Sequence, residues 1–132
     1  MKHVLLAIDE NDDRAVAQAE TVRDLFDAED TTAHLLHDFT DNVEGASVSQ
    51  IGSVRHAATL LRDAGIEVEY HETSGTPSKS IVETADELDV DLISIAGRKR
   101  SKAGKAIFGS VSQEVVLGTD RPVLLCTRND EP

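Results

Sequence analysis

Five short apolar runs, parted by stretches whose apolar residues recur every three or four positions, constrain this chain more than any other feature of its sequence. Val4-Leu5-Leu6-Ala7-Ile8 is too short for a helix and stops at a carboxylate cluster, as a strand buried on both faces does. Ala33 to His37, Asp91 to Ala96 and Pro122 to Thr127 share that character, whereas Ile66 to Tyr70 alternates at period two, as a strand near a sheet edge with one wet face would. Between these runs, Val16, Ala19, Val22 and Phe26 predict a helix capped by Asp12 or Asp13, and Val48, Ile51, Val54, Ala58 and Leu61 predict a second, stopped at Gly65. Thr76-Pro77 opens a third helix with Ile81, Ala85 and Leu88 facing inward, and Ser110 to Leu117 forms a fourth; Asn42 to Ser47 reads as a loop. The order βαβαβαβαβ, with crossovers long enough for right-handed parallel connections, predicts an α/β fold: a doubly wound, five-stranded parallel sheet with helices on both faces. No repeat or linker interrupts it, so residues 1–132 read as a single domain.

Charge narrows the choice of partners. Twenty-five acidic residues face 13 basic ones, a formal net charge of −12, which disfavours nucleic acid and anionic membrane as partners. No apolar run nears the ~20 residues that span a bilayer, and Met1-Lys2-His3 leads directly into the first strand, so a cytoplasmic, unexported protein is expected. Cys126 is the only cysteine, which excludes an internal disulfide and suggests a small buried hydrophobe. Abundant carboxylates, scarce lysine and few aromatics suit a chain that stays dissolved in concentrated salt, and point to a halophilic setting.

In an open parallel sheet a ligand settles beyond the carboxyl ends of the strands, here Asp9, His37-Asp38, Glu72-Thr73, Gly97 and Thr127. The richest connection runs from Gly97 to Ser112, where Arg98, Lys99, Arg100, Lys102 and Lys105 concentrate base within an acidic chain. Gly97 permits close backbone approach, Gly109-Ser110 opens a helix whose free N–H groups favour an anion, and Ser110 with Gln113 has capping-box spacing. Read blandly, the same loop balances neighbouring carboxylates and Gly109-Ser110 is only a cap. It is not a P-loop, since six residues part Gly97 from Gly104-Lys105 and Ala106 stands where a metal-binding hydroxyl would be. Nor does Asp9-Glu10-Asn11-Asp12 contain the glycines of a dinucleotide fingerprint.

Five segments in order carry a family resemblance: Ala7-Ile8-Asp9, Leu35-Leu36-His37, Gly75-Thr76-Pro77, Gly97 to Ser112 and Arg121-Pro122-Val123. Throughout its length the chain resembles the universal stress proteins (UspA-like), whose fold is Rossmann-like and akin to that of adenine nucleotide alpha-hydrolases. The resemblance implies a small stress-response binding protein with a nucleotide (ATP or AMP) or phosphate site at the loop between the fourth strand and fourth helix. Carried across, the binding roles fall on Ala7, Asp9, Asp38, Gly97, Arg100, Gly109, Ser110, Val111 and Ser112, with magnesium at Asp9 when ATP is bound. Two departures stand out. Arg100 replaces the second glycine of the phosphate loop, with eight residues between it and Gly109 where the family pattern has nine, and Glu10-Asn11 replaces a Gly-Ser pair and adds a carboxylate beside the site. Arg100 would then clamp phosphate with a charged fork where the family uses bare backbone.

The resemblance further implies a homodimer through the last strand, Pro122, Val123, Leu124, Leu125 and Cys126, whose uncovered apolar edge seeks a partner. The alternative reading is a dimeric protein-interaction module of the same family that does not bind ATP. No catalytic constellation is evident: His37 closes a buried strand and reads as a packed core residue, which leaves slow ATP hydrolysis as the most an enzyme reading supports. A phosphoacceptor receiver would need Asp after the third strand and Lys after the fifth, where Glu72-Thr73 and Thr127-Arg128 stand. An ATP-pyrophosphatase would need a Ser-Gly-Gly loop after the first. If the halophilic reading holds, the melting temperature rises across increasing potassium chloride as repulsion among the carboxylates is screened; a flat or falling trend refutes it.

Overall fold

Val4, Leu5 and Leu6 are wholly buried on consecutive positions, so the first strand must be covered on both faces, and the rest of the chain is arranged to do so. The computed structural model describes residues 1–39, 50–99, 106–107 and 109–127. The predicted loop Asn42 to Ser47, Val48, and the tail from Arg128 to Pro132 lie outside the described residues.

The elements run β1 (Lys2–Ala7), α1 (Asp12–Leu25), a 3-10 turn (Ala28–Asp30), β2 (Thr31–Asp38), α2 (Gly52–Asp63), β3 (Glu67–Thr73), α3 (Pro77–Leu88), β4 (Leu92–Lys99), β5 (Ala106–Ile107), α4 (Ser110–Gly118) and β6 (Val123–Thr127). Five strands pair in parallel in the order β3-β2-β1-β4-β6. The winding therefore reverses between β1 and β4. Helices α1 and α2 cover one face through Val4, Leu6, Ala33 and Leu35, and α3 and α4 cover the other through Leu5, Leu36, Ile93 and Ile95. The doubly wound parallel sheet expected from the sequence is the fold observed. No helix among the described residues is long and apolar enough to cross a membrane.

Local departures have physical reasons. Asn11, not Asp12 or Asp13, caps α1, because its side-chain oxygen accepts from the Arg14 N–H at 2.9 Å while Asp12 and Asp13 occupy the first turn, where they favour the helix dipole. Ser110 is the first residue of α4 and Gly109 its N-cap, so the capping box expected of Ser110 and Gln113 does not form. β4 continues past Ala96 to Lys99, and Arg98 and Lys99 pair antiparallel with Ile107 and Ala106 of β5. Part of the basic segment read as loop is thus strand, which its run of charge conceals from any hydrophobic pattern.

The inward face of α1 is not purely apolar. Gln18 is buried; its Nε2 donates to the Ala7 carbonyl at 2.8 Å and its Oε1 accepts from the Ser94 hydroxyl at 2.7 Å. With that hydrogen spent, the Ser94 oxygen is left to accept from the Cys126 thiol, 3.5 Å away. Burial pushes the Cys126 thiol above its ordinary pKa, against the pull of Ser94 and Thr21, which keeps it protonated and able to donate. One satisfied network so joins β1, α1, β4 and β6. Gln18→Leu strands the Ser94 hydroxyl and should cost about 1–3 kcal/mol in urea unfolding, with part of that loss restored in the double variant with Ser94→Ala. Additive losses would show that the network carries no coupling.

Candidate functional site

The reversal of winding opens a crevice at the carboxyl ends of β1 and β4, and a cavity of about 400 Å³ occupies it. Its floor comes from the strand ends: Ala7, Ile8, Asp9 and Glu10 after β1, Leu36 to Phe39 at β2, Ile95 and Ala96 on β4. Its walls are the first turns of two helices, with Pro77 and Ile81 from α3 and Val111 and Ser112 from α4. Apolar surface predominates, as it does in most small-molecule sites.

Each strand end is held by a specific contact. The Asp9 carboxylate accepts from the Asn11 N–H at 2.8 Å and from Arg14 Nε at 3.0 Å, while its carbonyl accepts from the Ser53 hydroxyl of α2. His37 donates from Nδ1 to the Ile8 carbonyl at 2.7 Å and meets the Phe39 ring edge-on, a buried structural role. That contact ties the end of β2 to the end of β1. Asp38 accepts from the Thr73 hydroxyl at 2.9 Å through Oδ2, but its buried Oδ1 has no hydrogen-bond partner among the described residues. A buried carboxylate oxygen without a donor is costly, and this one belongs to a residue that lines the cavity.

The α4 wall carries the opposite polarity. The N–H groups of Ser110, Val111 and Ser112 lie in the first turn of a nine-residue helix, where no intrahelical carbonyl reaches them. Ser112 is buried, with its hydroxyl 3.4 Å from the Ala96 carbonyl. A Cβ built on Gly109 meets nothing within 4 Å and its φ of −73° suits any residue, so the described surroundings do not themselves demand glycine there. Ser78 donates to Glu114 at 2.7 Å and pins the start of α3 to α4.

Of the residues singled out from sequence, Ala7, Asp9, Asp38, Val111 and Ser112 converge on the cavity. Gly109 and Ser110 stand at the head of α4 outside the lining, and Gly97 is buried within β4, its Cα paired with Thr127. Arg100 lies outside the described residues, as do Lys102 and Lys105. Sequence reasoning missed the apolar lining of Ile8, Leu36, Phe39, Ile81 and Ile95, whereas Glu10, which stands where the family has glycine, lines the cavity beside Asp9. Strand-end position was a usable signal for Phe39; the helix residue Ile81 carried only a core signal.

A model of the universal stress protein family matches residues 1–127. A universal stress protein of Mycolicibacterium smegmatis is 32% identical over 80 residues, covering 60% of this chain and 62% of that relative. Alignments to curated relatives span between 43% and 62% of their length. Among solved structures, a universal stress protein from Archaeoglobus fulgidus is 30% identical with a TM-score of 0.73, covering 96% of this chain and 98% of that one. Another, from the same organism in complex with dAMP, is 24% identical with a TM-score of 0.69 over 96% and 98% of the two chains.

Proposed function

The chain belongs to the universal stress protein family, and from that premise we propose that it is a stress-response binding protein whose cavity takes an adenine nucleotide. The observation that carries this reading is the polarity of the cavity. One end carries Asp38, whose buried Oδ1 has no donor among the described residues; the other carries the N–H groups of the first turn of α4, which no intrahelical carbonyl reaches. An adenine nucleotide has the complementary ends: an exocyclic amine that donates and a phosphate that accepts. Guanine offers a carbonyl at the corresponding ring position and would set oxygen against oxygen. Apolar side chains between the two ends suit the faces of a base, and the solved neighbour with dAMP supports the same ligand class.

Magnesium fits less well. Both Asp9 oxygens are already engaged, by Asn11 N–H and by Arg14, so a cation at Asp9 would have to displace the guanidinium. A nucleotide bearing one phosphate needs no such cation, and we favour it over ATP. The protein's role is then to report nucleotide rather than to turn it over, in the cytoplasm, as a homodimer joined along β6. That strand pairs only with β4 among the described residues, and Val123, Leu124 and Leu125 are half-buried on it.

Calorimetric titration with AMP, ATP and GMP tests the site. AMP should bind, GMP should bind at least ~10-fold more weakly, and Asp38→Ala should lower AMP affinity by about 10–100-fold, the range for a hydrogen bond to a charged group. Ser110→Ala should cost about 1 kcal/mol if its hydroxyl meets the phosphate. No binding of any nucleotide would leave the interaction-module reading, which exposed Val116 and Leu117 on α4 support. For the dimer, light scattering should give twice the chain mass, reverting to the monomer in Leu124→Glu; a monomeric wild type defeats it.

A further inference from the structure

Three of the chain's five histidines form a diagonal line across β1, β2 and β3, from His3 near the start of β1 to His71 in the row of Ala7 and Leu36, and none of the three lines the cavity. His3 on β1, His34 on β2 and His71 on β3 meet nitrogen to nitrogen: His3 Nδ1 lies 3.0 Å from His34 Nε2, and His34 Nδ1 lies 2.9 Å from His71 Nε2. The register explains the line. His34 pairs directly with Glu69 of β3, and His71 follows two residues later on the same face. One nitrogen each from His34 and His71 and a carboxylate oxygen of Glu69 consequently lie within 4.8 Å of one another.

We propose that His34, Glu69 and His71 form a binding site for a divalent transition cation of the zinc class, with His3 as the outer partner that orients His34. Two imidazole nitrogens and a carboxylate are the donor set such a cation selects, with water free to complete the shell. The His3 contact supplies what a ligating histidine requires: His34 Nε2–H donates to His3 Nδ1, which leaves the His34 Nδ1 lone pair facing His71. In the metal-free arrangement His71 Nε2–H fills that gap. On binding, this hydrogen moves to Nδ1 by exchange with solvent, so both facing nitrogens become donors to metal and each ring stays neutral.

Distances agree with such an exchange. With metal–nitrogen bonds of about 2.0–2.1 Å, nitrogens 2.9 Å apart subtend roughly 90° at the metal, and parting by about 0.4 Å reaches the tetrahedral angle. Access is graded: His34 is 4% exposed, His71 is half-buried and Glu69 is exposed at the edge strand. Burial pushes both His34 and His71 below the ordinary imidazole pKa, with His71 adding to the effect at His34 and Glu69 opposing it at both. Neutral rings at physiological pH keep their lone pairs available.

The probe is zinc chloride, titrated against a chromophoric chelator into full-length protein stripped with EDTA. Wild type should take up one zinc per chain, His71→Ala should weaken it by at least ~100-fold, and His3→Ala by about 10–100-fold, as loss of an outer partner does. Glu69→Gln, an exposed change that leaves the core intact, should also weaken it, and cobalt in place of zinc should give visible absorption that His71→Ala abolishes. His56→Ala should change nothing, although His56 and Asp12 form a histidine–carboxylate contact at 2.6 Å. Absence of zinc uptake by wild type overturns the site, as does wild-type affinity in folded His71→Ala or in Glu69→Gln. Loss of binding in His56→Ala would move the metal to α1 and α2 and overturn it equally.

Discussion

β1 pairs in parallel on both sides, with β2 over Lys2 to Ala7 and with β4 over Val4 to Leu6, and the remaining architecture depends on that double pairing. Its backbone groups are satisfied by two neighbours, and its side chains are covered on both faces as in a helix-flanked parallel sheet, with Val4, Leu5 and Leu6 each at 0% exposure. Burying each contributes about 1.5–3 kcal/mol. Because β2 and β3 extend the sheet to one side of β1 and β4 and β6 to the other, connections leave β1 and β4 toward opposite faces. Among the described residues no element fills the space above their junction, and the cavity is that space.

The fold was legible because its signals are redundant. Apolar runs, helical periods, Gly65 and Pro77 all specify the same alternation, so misplacing the cap of α1 by one residue or the end of β4 by three changes no connection. What the sequence concealed belongs to register and to polarity. Gln18 looks out of place among Ala15, Ala19 and Val22, and only the meeting of α1 with Ala7 and Ser94 explains it. Likewise His34 and His71 stand far apart in sequence and become neighbours only through the pairing of Leu36 with His71.

The cavity was partly legible. Asp9 and Asp38 follow from the rule that strand ends face the ligand, and Ser112 from the start of α4, whereas Ile81 reads from sequence as an ordinary core position. Arg100, Lys102 and Lys105 lie outside the described residues. Among the described lining residues the charged groups are Asp9, Glu10 and Asp38, and the backbone at the α4 terminus adds positive potential. Charge counting along a sequence registers lysines and arginines but not oriented peptide dipoles.

The Ser78 to Glu114 hydrogen bond fastens the first turn of α3 to α4, beside Pro77 and Ser112 on the cavity wall. A wall made of two helices that rocked independently would have to be ordered by whatever entered, and that ordering would be subtracted from affinity. Here the two turns are joined at folding, and Pro77 has already given up its backbone freedom. The entropy loss on this side of the cavity falls on the folding equilibrium instead of the binding equilibrium, so a small molecule with few contacts can still be held there.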